Sequence, residues 1–182
     1  MRVAIIGSSG SGKSTLGRKL AARLGAPSVE LDAINWQAGW RDLAGHEPEE
    51  FVRRVEVAVA GDAWVTDGNY RLAQPAILAR ATDLVWLDYD RPLIMSRVIR
   101  RSVARALSRD ELWPGTGNTE TWRRWLDKDH PIRWAWDTYH RRKTQYAALF
   151  ADPTLAHIRK HRLRRPAEAE ALVEALALGA DD

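Results

Sequence analysis

An apolar run, Val3-Ala4-Ile5-Ile6, leads directly into Gly7-Ser8-Ser9-Gly10-Ser11-Gly12-Lys13-Ser14-Thr15, which matches G-x-x-x-x-G-K-[ST] at every constrained position. Glycines at these positions let the backbone turn tightly, so successive N–H groups point inward and cradle phosphate oxygens. Lys13 adds a mobile point charge. Leu16, Leu20 and Leu24 follow at helical spacing, and the positive N-terminal end of such a helix aims at the same phosphates, where Ser14 can ligate Mg²⁺. A dinucleotide-binding turn needs G-x-G-x-x-G, whereas these glycines run G-x-x-G-x-G before Lys-Ser. The segment predicts a strand, a phosphate-binding loop of residues Gly7 to Thr15, and a helix, together holding a nucleoside triphosphate.

With 182 residues the chain is long enough for a normal core without metal or disulfide staples. The absence of cysteine excludes disulfides, cysteine-based zinc sites and thiol catalysis. No targeting segment or long apolar stretch stands out, so the expected location is the cytoplasm, away from membranes. A net charge of +4 is modest, but basic residues cluster at Arg97, Arg100, Arg101, Arg105 and Arg109, and again from Arg159 to Arg165.

Short apolar runs at 2–6, 28–31, 64–66, 84–87 and 155–158 alternate with helical patterns, which argues for an α/β fold with a parallel sheet covered by helices. Asp90 can cap a helix with Pro92 in its first turn, carrying Leu93, Ile94, Val98 and Ile99 inward and the arginines on its polar face. Breakers from Trp113 to Asn118 end it and read as a hinge or lid tip. Trp122, Trp125 and Leu126 suggest a short helix, and Trp136, Tyr139, Tyr146, Leu149 and Phe150 a longer one stopping before Asp152-Pro153. A last helix starts at Pro166 and packs Leu172, Val173 and Leu176, with only 179–182 frayed. One domain over 1–182 is expected.

Asp67 ends the third apolar run, at the crevice where open α/β sheets bind ligands, and is a candidate for holding Mg²⁺ with Ser14. Asp32 ends the second run and can face a phosphate acceptor as hydroxyl ligand or base, with Asn35 and Trp36 beside it. An arginine inserted over a transferring phosphoryl group stabilises its spread charge, which makes Arg97 and Arg101 catalytic candidates with Lys13. The alternative is a nucleic-acid footprint formed by the basic segments. Solvent is the expectation for Arg105, Arg109 and most of the C-terminal run. Trp64 and Trp86 read as core, while Trp36, Trp40 and Trp113 are placed to stack on an acceptor. The five histidines show no metal-ligand spacing and read as structural or solvent-facing.

The phosphate loop, Asp67-Gly68-Asn69-Tyr70-Arg71 after the third strand, an arginine-bearing helix after the fourth and a Trp/Arg-rich lid together resemble the adenylate-kinase-like P-loop phosphotransferases. Leu31-Asp32, Trp64 to Tyr70 and Val85 to Tyr89 look most like the branch named DNA topology modulation proteins. The resemblance implies a P-loop NTPase fold with a five-stranded parallel sheet flanked by helices, and ATP–Mg²⁺ as phosphate donor. It also implies a nucleotide or other small-molecule acceptor held between a segment at about 32–62 and a short helical lid at about 106–132. Arg71 stands where the family's phosphate-binding arginine does. The competing expectation is an ATP-binding regulatory protein that contacts nucleic acid.

Overall fold

A computed structural model of the chain describes residues 1–128 and 130–178; the fraying expected of 179–182 lies outside them. Strand β1 (Arg2–Gly7) leads through the loop into α1 (Lys13–Leu24), followed by β2 (Ser28–Glu30) and α2 (Leu31–Asn35). A small antiparallel hairpin of β3 (Trp36–Gln37) and β4 (Arg41–Asp42) precedes α3 (Leu43–His46) and α4 (Pro48–Ala58). Next come β5 (Trp64–Asp67), α5 (Gln74–Leu78), β6 (Asp83–Leu87) and the long α6 (Arg91–Ser108). The chain closes with α7 (Pro131–Ala151), β7 (Arg159–Leu163) and α8 (Pro166–Leu178).

The main sheet is five-stranded, in the order β2-β5-β1-β6-β7, with every pairing parallel. A parallel sheet must be covered on both faces, and β1 shows how sequence period serves that. Val3 and Ile5 point to one core with Leu16, Leu20, Val98 and Val173, while Ala4 and Ile6 point to the other with Phe51, Val55 and Trp86. Because β1 lies between β5 and β6, its C-terminal end is the point where the neighbouring chains leave in opposite directions. Polar groups can converge there without invading either core.

The last strand departs from expectation. The apolar run 155–158 forms a short 3-10 turn (Pro153–Leu155) and its exit, seating Leu155 and Ile158 in the core, and the strand is the basic stretch Arg159–Leu163 that follows. An edge strand pairs on one side only, so it need not be apolar, and cations along it discourage pairing with other chains. Here they also meet buried carboxylates on β6 and just beyond it. Arg159 and His161 bracket Asp83 at 3.0 and 2.9 Å, and Arg162 donates twice to Asp88 at 2.9 and 2.6 Å.

Helix α6 stops at Ser108, with Arg109 in the left-handed region at φ 56°, several residues before the breakers at Trp113. Its buried stripe is Ile94, Val98, Ser102 and Ala106, a strict i+4 row; Ile99 lies off that row and is exposed. Asp90 occupies the N-cap without a side-chain cap bond. On α7 the inward row is Ala135, Thr138, Tyr139 and Tyr146, which leaves Trp136 outside, its ring covered by the Arg91 guanidinium at 3.5 Å. The residues from Glu111 to Thr119 form no loose hinge. They fold back on themselves through a bridge between those two residues and a Leu112 N–H bond to the Asn118 carbonyl at 2.9 Å.

Burial alone would raise the Asp83 carboxyl, but hydrogen bonds from His161, Arg159 and Thr82 outweigh it and hold the group at about 2. That lies below the unfolded value of about 3.9, so the stability that ionised Asp83 supplies is present above that pH and is lost as pH falls through the folded value. At about 1.4 kcal/mol per unit, a gap of nearly two units makes the loss roughly 2–3 kcal/mol. Asp83→Asn should lower neutral-pH stability and flatten the acid limb of a urea-unfolding series between about pH 4 and 2; a variant that keeps the wild-type slope would place acid sensitivity elsewhere.

Candidate active site

The loop after β1 is shaped by what packs on it. Gly10 has φ 84°, and a Cβ there would lie 2.8 Å from Val98 Cβ and 2.9 Å from the Ile94 carbonyl, so only glycine lets α6 approach this closely. Gly12, at φ 98°, is the left-handed residue from which α1 starts, and its carbonyl accepts the Leu16 N–H at 3.0 Å. Ser8 and Ser11 are buried in the loop, whereas Thr15 lies exposed in the first turn of α1.

Parallel pairing puts Ile5 of β1 opposite Asp67 of β5. As a result Ser14 Oγ donates to Asp67 Oδ2 at 2.6 Å. Burial pushes the Asp67 carboxyl up to about 6, although the Ser14 bond and the Lys13 charge pull the other way. Burial likewise lowers the Lys13 ammonium, with Asp67 and Asp32 opposing and Arg101 and Arg142 adding to the shift. Lys13 Nζ donates to the Ser8 carbonyl at 3.2 Å. A hydroxyl and a carboxylate at the mouth of a cradle of amides are hard oxygen donors. That set suits Mg²⁺, which keeps most of its shell for water and phosphate and takes one or two protein oxygens.

Helix α6 delivers two arginines to the loop. Arg97 Nη1 donates to the Ser11 carbonyl at 3.1 Å, and Arg101 Nη2 to Ser9 Oγ at 3.3 Å. Desolvation and the neighbouring Arg105 lower Arg101 to about 10. Asp32, exposed in the first turn of α2, accepts from the Tyr70 hydroxyl at 2.7 Å. Burial, reinforced by Asp32, raises Tyr70 far above the usual phenol range and keeps it a donor.

Two expected acceptor contacts lie elsewhere. Asn35 is buried and its Oδ1 accepts the Ala44 N–H at 2.8 Å, so it orders the 32–62 segment from within. Arg71 is exposed on a groove with Gln74, Leu149, Asp152 and His157, none of which belongs to the phosphate loop. Tyr70 turns toward Asp32, and Arg71 opens the turn that follows. Trp36 is half-buried in β3, its ring 5.7 Å from Trp40.

Arg142 and Asn69, neither of them expected as a site residue, also belong to the constellation. Arg142, from α7, donates to the Asn69 carbonyl at 3.2 Å, and its charge reaches Lys13. Asn69 clasps Gly7 through Nδ2 to its carbonyl at 2.7 Å and Oδ1 to its N–H at 3.5 Å. Arg142 sits among Arg141 and Lys143 with nothing local to distinguish it; Asn69 carried a signal in its place directly after Asp67-Gly68.

Comparison with known proteins fits this geometry. No family model matches the chain. A shikimate kinase from Symbiobacterium thermophilum is 35% identical over 109 residues, spanning 53% of this chain and 63% of that relative. One from Mycobacterium ulcerans is 38% identical over 80 residues, 42% of this chain and 44% of that relative. The chain thus spans less than two thirds of these relatives. Shikimate kinase from Acinetobacter baumannii, solved in complex with shikimate, superposes with a TM-score of 0.55 at 19% identity, covering 99% of this chain and 93% of that one. A gluconokinase from Sinorhizobium meliloti gives 0.53 at 17%, covering 98% and 94%. The fold is that of the P-loop kinases.

Asn69→Ala should remove the clasp on Gly7, lower unfolding free energy by about 1–2 kcal/mol and accelerate amide exchange across the phosphate loop. Exchange at the wild-type rate would show that the loop holds its shape without Asn69.

Proposed function

We propose that this chain is an ATP-dependent phosphotransferase that moves the terminal phosphoryl group of ATP to a hydroxyl of a small-molecule acceptor. The observation that carries the reading is the convergence on one loop of Lys13, the Ser14–Asp67 pair, Arg97 and Arg101, with Asp32 at the adjacent strand end. The loop amides of Gly7 to Thr15 would cradle the phosphates, and Ser14 and Asp67 would hold Mg²⁺. Mg²⁺-ATP supplies the phosphoryl group and part of the counter-charge it needs in transit.

Lys13, Arg97 and Arg101 supply the rest, as donors already fixed by packing, so little reorganisation is needed as charge develops. Asp32 orients the acceptor hydroxyl and takes its proton, with Tyr70 holding one carboxylate oxygen in place. Residues 32–62 serve as the acceptor segment and 106–132 as the lid. The relatives named shikimate kinase make a polyhydroxylated ring acid the first acceptor to try, with nucleoside monophosphates and sugar acids beside it.

The partners of the basic clusters favour this reading over an ATP-binding regulatory protein that contacts nucleic acid through its basic segments. Arg97 and Arg101 turn to the loop, Arg159 and Arg162 pair with Asp83 and Asp88, and Arg165 pairs with Glu168. Among the described residues no helix is long and apolar enough to cross a membrane.

A coupled ADP-release assay across these acceptors tests the reading. Wild type should show acceptor-dependent turnover, and Lys13→Ala should lose about 10²–10³ in kcat, the loss typical when one preorganised charge donor is removed. Asp32→Asn should cut acceptor turnover while leaving ATP affinity intact. ATP binding without stimulation by any acceptor class would overturn phosphoryl transfer and favour an ATP-state switch.

A further inference from the structure

Trp40 has φ 62°, in the left-handed region that costs a bulky residue of order 1–3 kcal/mol. What holds it there comes from far along the chain. Its N–H donates to Asn118 Oδ1 at 2.9 Å, and Asn118 Nδ2 donates to the Gln37 carbonyl at 2.9 Å. Asn118 is only 2% exposed, and its amide can face one way alone, because the reversed orientation would set donor against donor. Ring contacts surround the pair of bonds: Trp40 meets Trp113 edge-on at 5.9 Å and Trp36 at 5.7 Å.

We propose that Asn118 is a positioning residue, an amide latch that docks the lid on the tip of the acceptor segment and holds the two together. The proposal rests on the phosphotransferase reading for its catalytic consequence, but the latch itself stands on geometry. Opening the lid surrenders both hydrogen bonds and lets Trp40 leave its strained conformation, so the closed and open arrangements form two discrete states. The latch also reaches the chemistry. Buried Glu120, two residues beyond Asn118, acts electrostatically on Arg101, the arginine that α6 holds against Ser9. The docked lid thus keeps a buried carboxylate within electrostatic reach of that guanidinium.

The chain has no cysteine, so exposed positions Ala38 and Pro114 can be converted to cysteine for unique spin labels. In the unliganded protein the distance between labels should be short and narrowly distributed. Asn118→Ala should lengthen and broaden it, and so should Asn118→Asp, which keeps the acceptor for Trp40 N–H but sets its second oxygen against the Gln37 carbonyl. The KM for the acceptor should rise about tenfold in Asn118→Ala, as loss of one or two hydrogen bonds gives, with the KM for ATP changed less than about twofold.

An unchanged distance distribution in Asn118→Ala overturns the latch. Broadened distances with an unchanged acceptor KM overturn the positioning role. Should the alanine variant fail to fold, Asn118→Asp decides by the same two measurements. A wild type without acceptor-dependent turnover counts against the phosphotransferase reading alone, and the label distances then decide the latch.

Discussion

The parallel pairing of β1 with β5 is the constraint on which the site depends. Register sets which side chains face which core, and a slip of one residue would turn Val3 and Ile5 to the wrong face while moving Asp67 away from the loop. Held in register by two cores, the strand pair brings the last carboxylate of β5 within 2.6 Å of the first hydroxyl of α1. The same arrangement leaves Asn69, just beyond β5, level with Gly7, where it clasps the start of the loop. The phosphate loop is therefore gripped twice, by a helix that only Gly10 lets approach and by an amide from the neighbouring strand.

The electrostatics follow from that enclosure. Lys13, Arg101 and Arg142 crowd one another, and Asp67 and Asp32 compensate in part. Burial drives Lys13 down and Asp67 up, each toward its neutral form, which is the response of charges that lack a counter-ion of sufficient strength. A triphosphate and a divalent cation together supply both missing signs. On the proposed reading the site takes the two as a pair, with donors fixed in advance by packing on α6 and α7.

Basic residues illustrate how one composition serves two physical ends. On α6, spacing of four residues carries Arg97 and Arg101 along the row that faces the loop, and both reach its backbone or hydroxyls. On β7, alternation sends Arg159 and His161 to one carboxylate and Arg162 to another, where they seal the sheet edge. The Arg162 guanidinium also lies over the Trp86 ring at 4.4 Å, so one head meets both a ring face and the Asp88 carboxylate. A count of positive charge would treat these groups alike; their partners separate them.

By itself the sequence determined what short-range chemistry dictates. Gly7 to Thr15, the apolar runs of β1 and β6, the Pro-headed helices α6 and α8, the apolar pattern of α7, and a carboxylate at the end of β5 all depend on neighbours within a few residues, and all were legible there. Tertiary structure alone decided the rest. The basic strand β7 is a strand because β6 offers it an edge to pair with and Asp83 to meet its cations, not because its own residues favour one. Arg142 in place of Arg71 joins Lys13 because α7 crosses back over the loop, and Asn118 meets Trp40 across 78 positions. Contacts of that span are selected by how two buried cores and a sheet order bring distant segments together, and no local spacing encodes them.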